Sequence, residues 1–297
     1  MLRHYTIPDL ADYINWLYFF HAWNLPVKFA GIAHVHACDA CRAAWIGRFD
    51  ECEKARATEA VNLYSDALKT LSRLTPYTSV RTIVRLYEAN SDGDDVVLYD
   101  DGQTAGRLPL LRQQKPGEDG FCRCLSDYIR PLSSGCRDTI GLFATSAHTP
   151  DTSDDYQRML TQTLADRLAE AAAERLHEEV RKKIWAYAPD EQLSIDDLHA
   201  ERFQGIRPAV GYPSLPDLSL NFEFDKLLDF SQIGVQLTEH AMMQPHASVS
   251  GLMIAHPQAC YFSVGPISEE QLTDYAARRH VPPDQLRPYL AANLTRN

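Results

Sequence analysis

The spacing of apolar positions along the chain changes several times, and each change marks an element. Near the start, DLADYINWLYFFHAWNL places Tyr13, Trp16, Phe20 and Trp23 close to helical spacing, which predicts one helix docked on a core and ended by Pro26. Residues 52–73 (CEKARATEAVNLYSDALKTLSR) repeat Ala60, Leu63, Ala67 and Leu71 at steps of three and four, a second amphipathic helix. The period then shortens. TIVRLYEAN and VVLYDD flank an Asp/Gly turn and read as a hairpin, and DTIGLFATSA reads as a further strand. From Asp154 to Tyr187 runs a long helix with Leu160, Leu164, Leu168, Ala172, Leu176, Val180 and Ile184 spaced by four. Asp154 and Asp155 lead it and Arg181, Lys182 and Lys183 close it, which matches the helix dipole at both ends. A four-residue spacing drifts around the cylinder, so this helix is expected to meet different partners along its length.

After the stretch GIRPAVGYP, LNFEFDKLLDF predicts a short helix. SVSGLMIA and CYFSVG alternate as paired strands would, with HPQA as their turn. SEEQLTDYAARRH opens a last helix on a serine cap with glutamate close behind. Helices and strands are mixed without a βαβ rhythm, so the class is α+β.

Composition narrows the functional classes. The chain has 297 residues, 45% of them hydrophobic, enough for a real core. A net charge of -11 argues against nucleic acid as a partner, because phosphate-backbone binding needs a basic face. No uninterrupted apolar run approaches membrane-spanning length and the first residues lack the layout of a signal peptide, so a soluble cytoplasmic protein without a membrane partner is expected. The seven cysteines are odd in number and do not read as a disulfide framework.

Candidate chemistry is sparse: the chain contains no GxGxxG, P-loop, GxSxG or HExxH motif. HVHACDACRAAW gathers His34, His36, Cys38 and Cys41, all metal-ligand types, but the spacing is not a usual zinc pattern and no second CxxC pair exists. No metal ligand set is assigned from it. Cys122 and Cys124 alternate in FCRCLSDYI, as on one face of a strand. In GIRPAVGYP, Pro208 biases Arg207 toward extended backbone, Gly211 removes a Cβ, and Tyr212 offers an aromatic face with a hydroxyl tip. A plain Pro/Gly turn with a surface arginine fits the same letters. Glu170 and Glu201 read locally as solvated carboxylates.

Taken together, several stretches resemble the C-terminal activation domain of cobalamin-dependent methionine synthase. DYINWLYFFHAW, EAVNLYSDALKTL, LRQQ, LADRLAEAAAERLHEEVR, WAYAPDE, FQGIRPAVGYP, LTEHAM, ASVSG and YFSVG occur in the family's order across almost the whole chain. The resemblance implies a single α+β domain over 1–297, with a mainly antiparallel twisted sheet flanked by helices and one long central helix. Residues around 30–56 would be an insertion atypical of the family. It also implies that S-adenosylmethionine binds at Arg207, Ala209, Gly211 and Tyr212, with Tyr261 and Phe262 completing the pocket. Glu170 and Glu201 would stand near the point where methyl donor and cobalamin meet. Cobalamin would be carried by a separate methionine synthase core, and flavodoxin or another reductant would supply electrons for reductive reactivation. Asn15 replaces the family's donor-binding aspartate, keeping an acceptor oxygen but losing the charge. Val210, Gln244 and His246 also depart from the family's pattern. The implied role is a free-standing reactivation subunit, and the alternative is a regulatory or scaffolding module that has lost donor binding.

Overall fold

The structure, a computed structural model, describes residues 1–117 and 120–295. Its frame is an antiparallel sheet of six strands: β1 (Leu2–Tyr5), β2 (Ser79–Asp92), β3 (Asp95–Asp100), β4 (Gln103–Pro109), β5 (Asp138–His148) and β6 (Ser248–Met253). The order is β4-β3-β2-β5-β6. At 14 residues β2 is long enough to carry β1 and β3 one after the other along one edge, while β5 runs along the other. The hairpin and the strand at β5 lie where the alternation placed them. β4 has no apolar alternation, because its first residues are exposed and only Leu108 and Pro109 at its end are buried.

Side chains alternate cleanly between the two faces. Val84, Phe143 and Met253 face the long helix α4 (Asp155–Glu179), together with Ala173, Leu176 and Val180. Ile83, Leu142, Ala144 and Leu252 point the other way, onto Phe224 of helix α5 (Leu220–Leu228) and onto Phe230. Each fully buried Leu, Ile or Phe contributes roughly 1.5–3 kcal/mol, so both faces of the sheet stabilise the fold. Small residues at Ala165, Ala169, Ala172 and Ala173 let α4 approach the sheet closely enough for the buried Thr145 hydroxyl to donate to the Ala169 carbonyl at 3.0 Å. The long helix is buried around much of its girth, as the drifting four-residue spacing requires, and it closes in a π-helical turn at Val180–Ile184.

Helices α1 (Trp16–Ala22), α2 (Asp39–Ile46) and α3 (Glu51–Leu74) pack over the N-terminal half of α4, and α6 (Glu269–Arg278) is capped by Ser268 as expected. The N-terminal segment is not the single helix its aromatic spacing predicts. A helical turn at Ile7–Leu10 and a 3₁₀ turn at Ala11–Tyr13 end at Asn15, whose extended backbone breaks the helix. Its side-chain oxygen accepts the Leu17 N–H at 3.1 Å and so starts α1 afresh.

Two further expectations fail. CYFSVG is not a strand paired with β6, because the outer edge of β6 is already taken by residues 206–210. Ile206 and Ile254 exchange N–H···O bonds at 2.9 Å, Leu252 donates to the Pro208 carbonyl at 3.0 Å, and Val210 donates to the Ser250 carbonyl at 2.9 Å. Residues 262–264 bond instead to Pro213 and Ser214. Nor do Cys122 and Cys124 lie on a strand: Cys124 is buried and precedes a 3₁₀ turn at Leu125–Tyr128.

Candidate functional site

The strap along β6 explains the arginine in GIRPAVGYP. Pro208 lacks an N–H and presents only its carbonyl to the sheet, so the segment can pair with β6 at alternate residues. The backbone of Arg207 therefore faces away from the sheet, and its N–H donates to the Tyr261 hydroxyl oxygen at 3.0 Å. Its side chain enters a cleft of about 680 Å³ bounded by α4, the N-terminal segment, the Leu198–Glu201 turn and the 207–214 strap. Asn15, Glu170, Glu201, Arg207, Ala209, Tyr212, Tyr261 and Phe262 all line this cleft, so residues spread from 15 to 262 converge. Gly211 does not line it. With φ at +86° its backbone is left-handed, and it forms the turn in which its N–H donates to the Leu215 carbonyl at 2.8 Å.

Charge in the cleft is organised around Arg207, with Arg167 on the same lining and the carboxylates of Glu170, Glu174 and Glu201. Arg207 Nη2 donates to Glu174 Oε2 at 2.5 Å, with the two side chains 16% and 7% exposed. Arg207 Nε and Glu174 Oε1 are buried without partners. Burial pulls the guanidinium pKa down, but Glu174, Tyr261, Glu170 and Glu201 together outweigh it and the net shift is upward. Burial raises the Glu201 pKa against the opposing pull of Arg207. Tyr212 donates to Glu170 Oε1 at 2.8 Å at the open side of the cleft, where its ring is half exposed. This arrangement offers a fork for a carboxylate and an acidic wall for a cation.

Glu174, Tyr13, Arg167 and His199 also line the cleft and were missed in the sequence. The signal for Glu174 was its four-residue separation from Glu170 on α4, which puts both on one helix face. His199 Nε2 lies 3.1 Å from the Tyr13 carbonyl oxygen and ties the 195–201 turn to the N-terminal segment across the cleft. Glu201 ends that turn with φ at +56°, held by its N–H donating to the Leu198 carbonyl at 3.0 Å.

Behind Arg207 the fold buries His177 completely, 3.2 Å from the Tyr187 hydroxyl and edge-on to Phe203. Burial first, then Arg181 and Arg207, push its pKa well below the ordinary histidine value of 6.5. The ring is neutral in the fold, so its contribution to stability is complete above pH 6.5 and is lost as the pH falls below it. Denaturant unfolding between neutral pH and about pH 5.5 should show wild type losing about 1 kcal/mol per pH unit more than His177→Gln. Equal slopes would mean the histidine titrates normally.

With the geometry in place, comparison with known proteins identifies the lineage. Residues 6–280 match the family described as vitamin B12 dependent methionine synthase, activation domain. The chain belongs to that family. It is also similar to a solved structure, the MetH reactivation domain bound to AdoHcy, with 34% sequence identity and a TM-score of 0.86 over 100% of this chain and 90% of that one. The mixed fold, with its antiparallel sheet and long helix, is the activation-domain fold.

His36, Cys38 and Cys41 lie away from this cleft, and among them the Cys38 thiol pKa is lowered to about 7 by hydrogen bonds from His36 and Cys41. The segment that carries them comprises a 3₁₀ turn at Val27–His34, then α2 and the start of α3. Among the described residues, no helix is long and apolar enough to cross a membrane.

Proposed function

We propose that this activation-domain chain binds S-adenosylmethionine in the Arg207 cleft and presents its methyl group to a cobalamin held by a separate methionine synthase core. The observation that carries the reading is the half-used Arg207–Glu174 pair, with a buried Nε and a buried carboxylate oxygen left free in a cleft of ligand size. The family membership and the AdoHcy-bound relative support it. In this reading Arg207 grips the donor's carboxylate, and Glu170, Glu174 and Glu201 offset the positive charge of its ammonium and sulfonium groups. Ala209 lets the strap's backbone approach the ligand, while Tyr212, Tyr261 and Phe262 supply the aromatic walls. Gly211 acts only through the turn that places Tyr212.

The corrinoid on the core supplies the cobalt nucleophile, and a reductant such as flavodoxin supplies the electron that activates cob(II)alamin. The chain's own contribution is to fix the sulfonium methyl in one orientation and to keep water from the reacting face. Methyl-labelled donor, incubated with a cob(II)alamin-loaded core and reductant, should label the corrinoid only when this chain is added. Absence of chain-dependent label would refute the role.

A scaffold that has lost the donor is the second reading, favoured by one feature: the Asn15 oxygen is occupied by the Leu17 N–H. Asn15→Asp keeps that cap and adds a charge for the donor's ammonium group. Hydrogen bonds to charged groups exceed neutral ones by about 1 kcal/mol, so calorimetry should show binding about fivefold tighter. Binding recovered only in Asn15→Asp, from none in wild type, would favour the scaffold.

A further inference from the structure

One cluster of soft donor groups stands apart from the cleft. The ligand atoms of His36, Cys38 and Cys41 all lie within 4.8 Å of one another, which reduces the four candidates of the HVHACDAC stretch to three. Local backbone geometry builds the cluster. Cys38 is the N-cap of α2, extended at φ −77° and ψ 151°, and its Sγ accepts the Cys41 N–H at 3.4 Å. The Cys38 N–H in turn donates to His36 Nδ1 at 3.4 Å, which folds the imidazole back over the same end of the helix. Both sulfurs therefore sit at the positively polarised terminus of an eight-residue helix.

We propose that His36, Cys38 and Cys41 bind one thiophilic divalent cation of the zinc class, with the fourth position left to water or an external donor. Zinc–sulfur and zinc–nitrogen bonds of about 2.3 and 2.0 Å hold tetrahedral ligand atoms about 3.5–3.8 Å apart. Closing the observed spread takes about 1 Å of side-chain movement, within the reach of single rotamer adjustments. The N–H···S contact already in place is of the kind that stabilises a metal-bound thiolate. The cation has a structural task to perform here as well, because α2 buries only Trp45 among its eight residues and is otherwise lightly held.

The test uses the whole chain, purified under reductant, with Co²⁺ as the spectroscopic probe and Zn²⁺ as competitor. One equivalent of Co²⁺ per chain should bind, show a thiolate-to-cobalt charge-transfer band, and be displaced by Zn²⁺. Cys38→Ser/Cys41→Ser should abolish uptake while leaving donor binding in the cleft unchanged, and His36→Asn should weaken uptake at least tenfold but keep the band. Cys52→Ser/Cys136→Ser should behave as wild type. The proposal is overturned by substoichiometric uptake, by a band that survives the double serine variant, or by a Cys38–Cys41 disulfide that persists under reductant and excludes the metal.

Discussion

Arg207→Ala is expected to lower affinity for S-adenosylmethionine by about two to four orders of magnitude. Two charge-assisted hydrogen bonds to a carboxylate, each worth about 1.5–3 kcal/mol, disappear together. The fold should weaken in the same variant, because Glu174 is left 7% exposed without its partner, an uncompensated charge costing about 3 kcal/mol. Those two effects separate through Glu174→Gln, which keeps a hydrogen-bond acceptor for Arg207 and removes the charge. Equilibrium dialysis should find the donor still bound by Glu174→Gln but not by Arg207→Ala. Arg207→Lys should recover only part of the affinity, since a point charge cannot reproduce the fork. Undiminished binding in a folded Arg207→Ala protein would remove this residue from the site.

The second large effect is expected from a residue that touches no ligand. Gly251 sits on β6 opposite Phe143, under the strap that carries Arg207. A Cβ there would stand 2.4 Å from the Pro208 carbonyl oxygen, 2.8 Å from Phe143 and 2.9 Å from the Ala209 Cα. Two of those three atoms are backbone, so relief requires the strap to lift off the sheet. Gly251→Ala should therefore cost about 2–3 kcal/mol of stability and reduce donor affinity together, because Arg207 and Ala209 move with the backbone. Chemical denaturation and calorimetry on the same preparation check both. Retention of full donor affinity at reduced stability would show that Arg207 is not positioned through the β6 pairing.

Local periodicity made the helices 52–73 and 154–187 and the hairpin at 82–100 legible, because each buries one face or one drifting stripe. It failed where tertiary partners override it. Asn15 breaks an aromatic run by capping, and the alternation in CYFSVG is spent against Pro213 and Ser214 because the edge of β6 is already covered. The candidate site came from family resemblance rather than local pattern: read alone, Glu170, Glu201 and Arg207 are surface residues on three separate segments. Only the fold reveals that Glu174 holds Arg207, since the two are 33 positions apart and nothing in either segment announces the pairing. For Gly211 the sequence leaves two readings open, because a glycine required by a left-handed turn and one required by ligand approach look the same, and the structure shows the turn.

Calorimetric titration of the wild-type chain with S-adenosylmethionine, in parallel with S-adenosylhomocysteine, decides whether the Arg207 cleft takes up a methyl donor. Saturable binding of both at one site per chain, with competition between them, is the predicted result. A folded chain that takes up neither would contradict the assignment of the Arg207 cleft as a methyl-donor site.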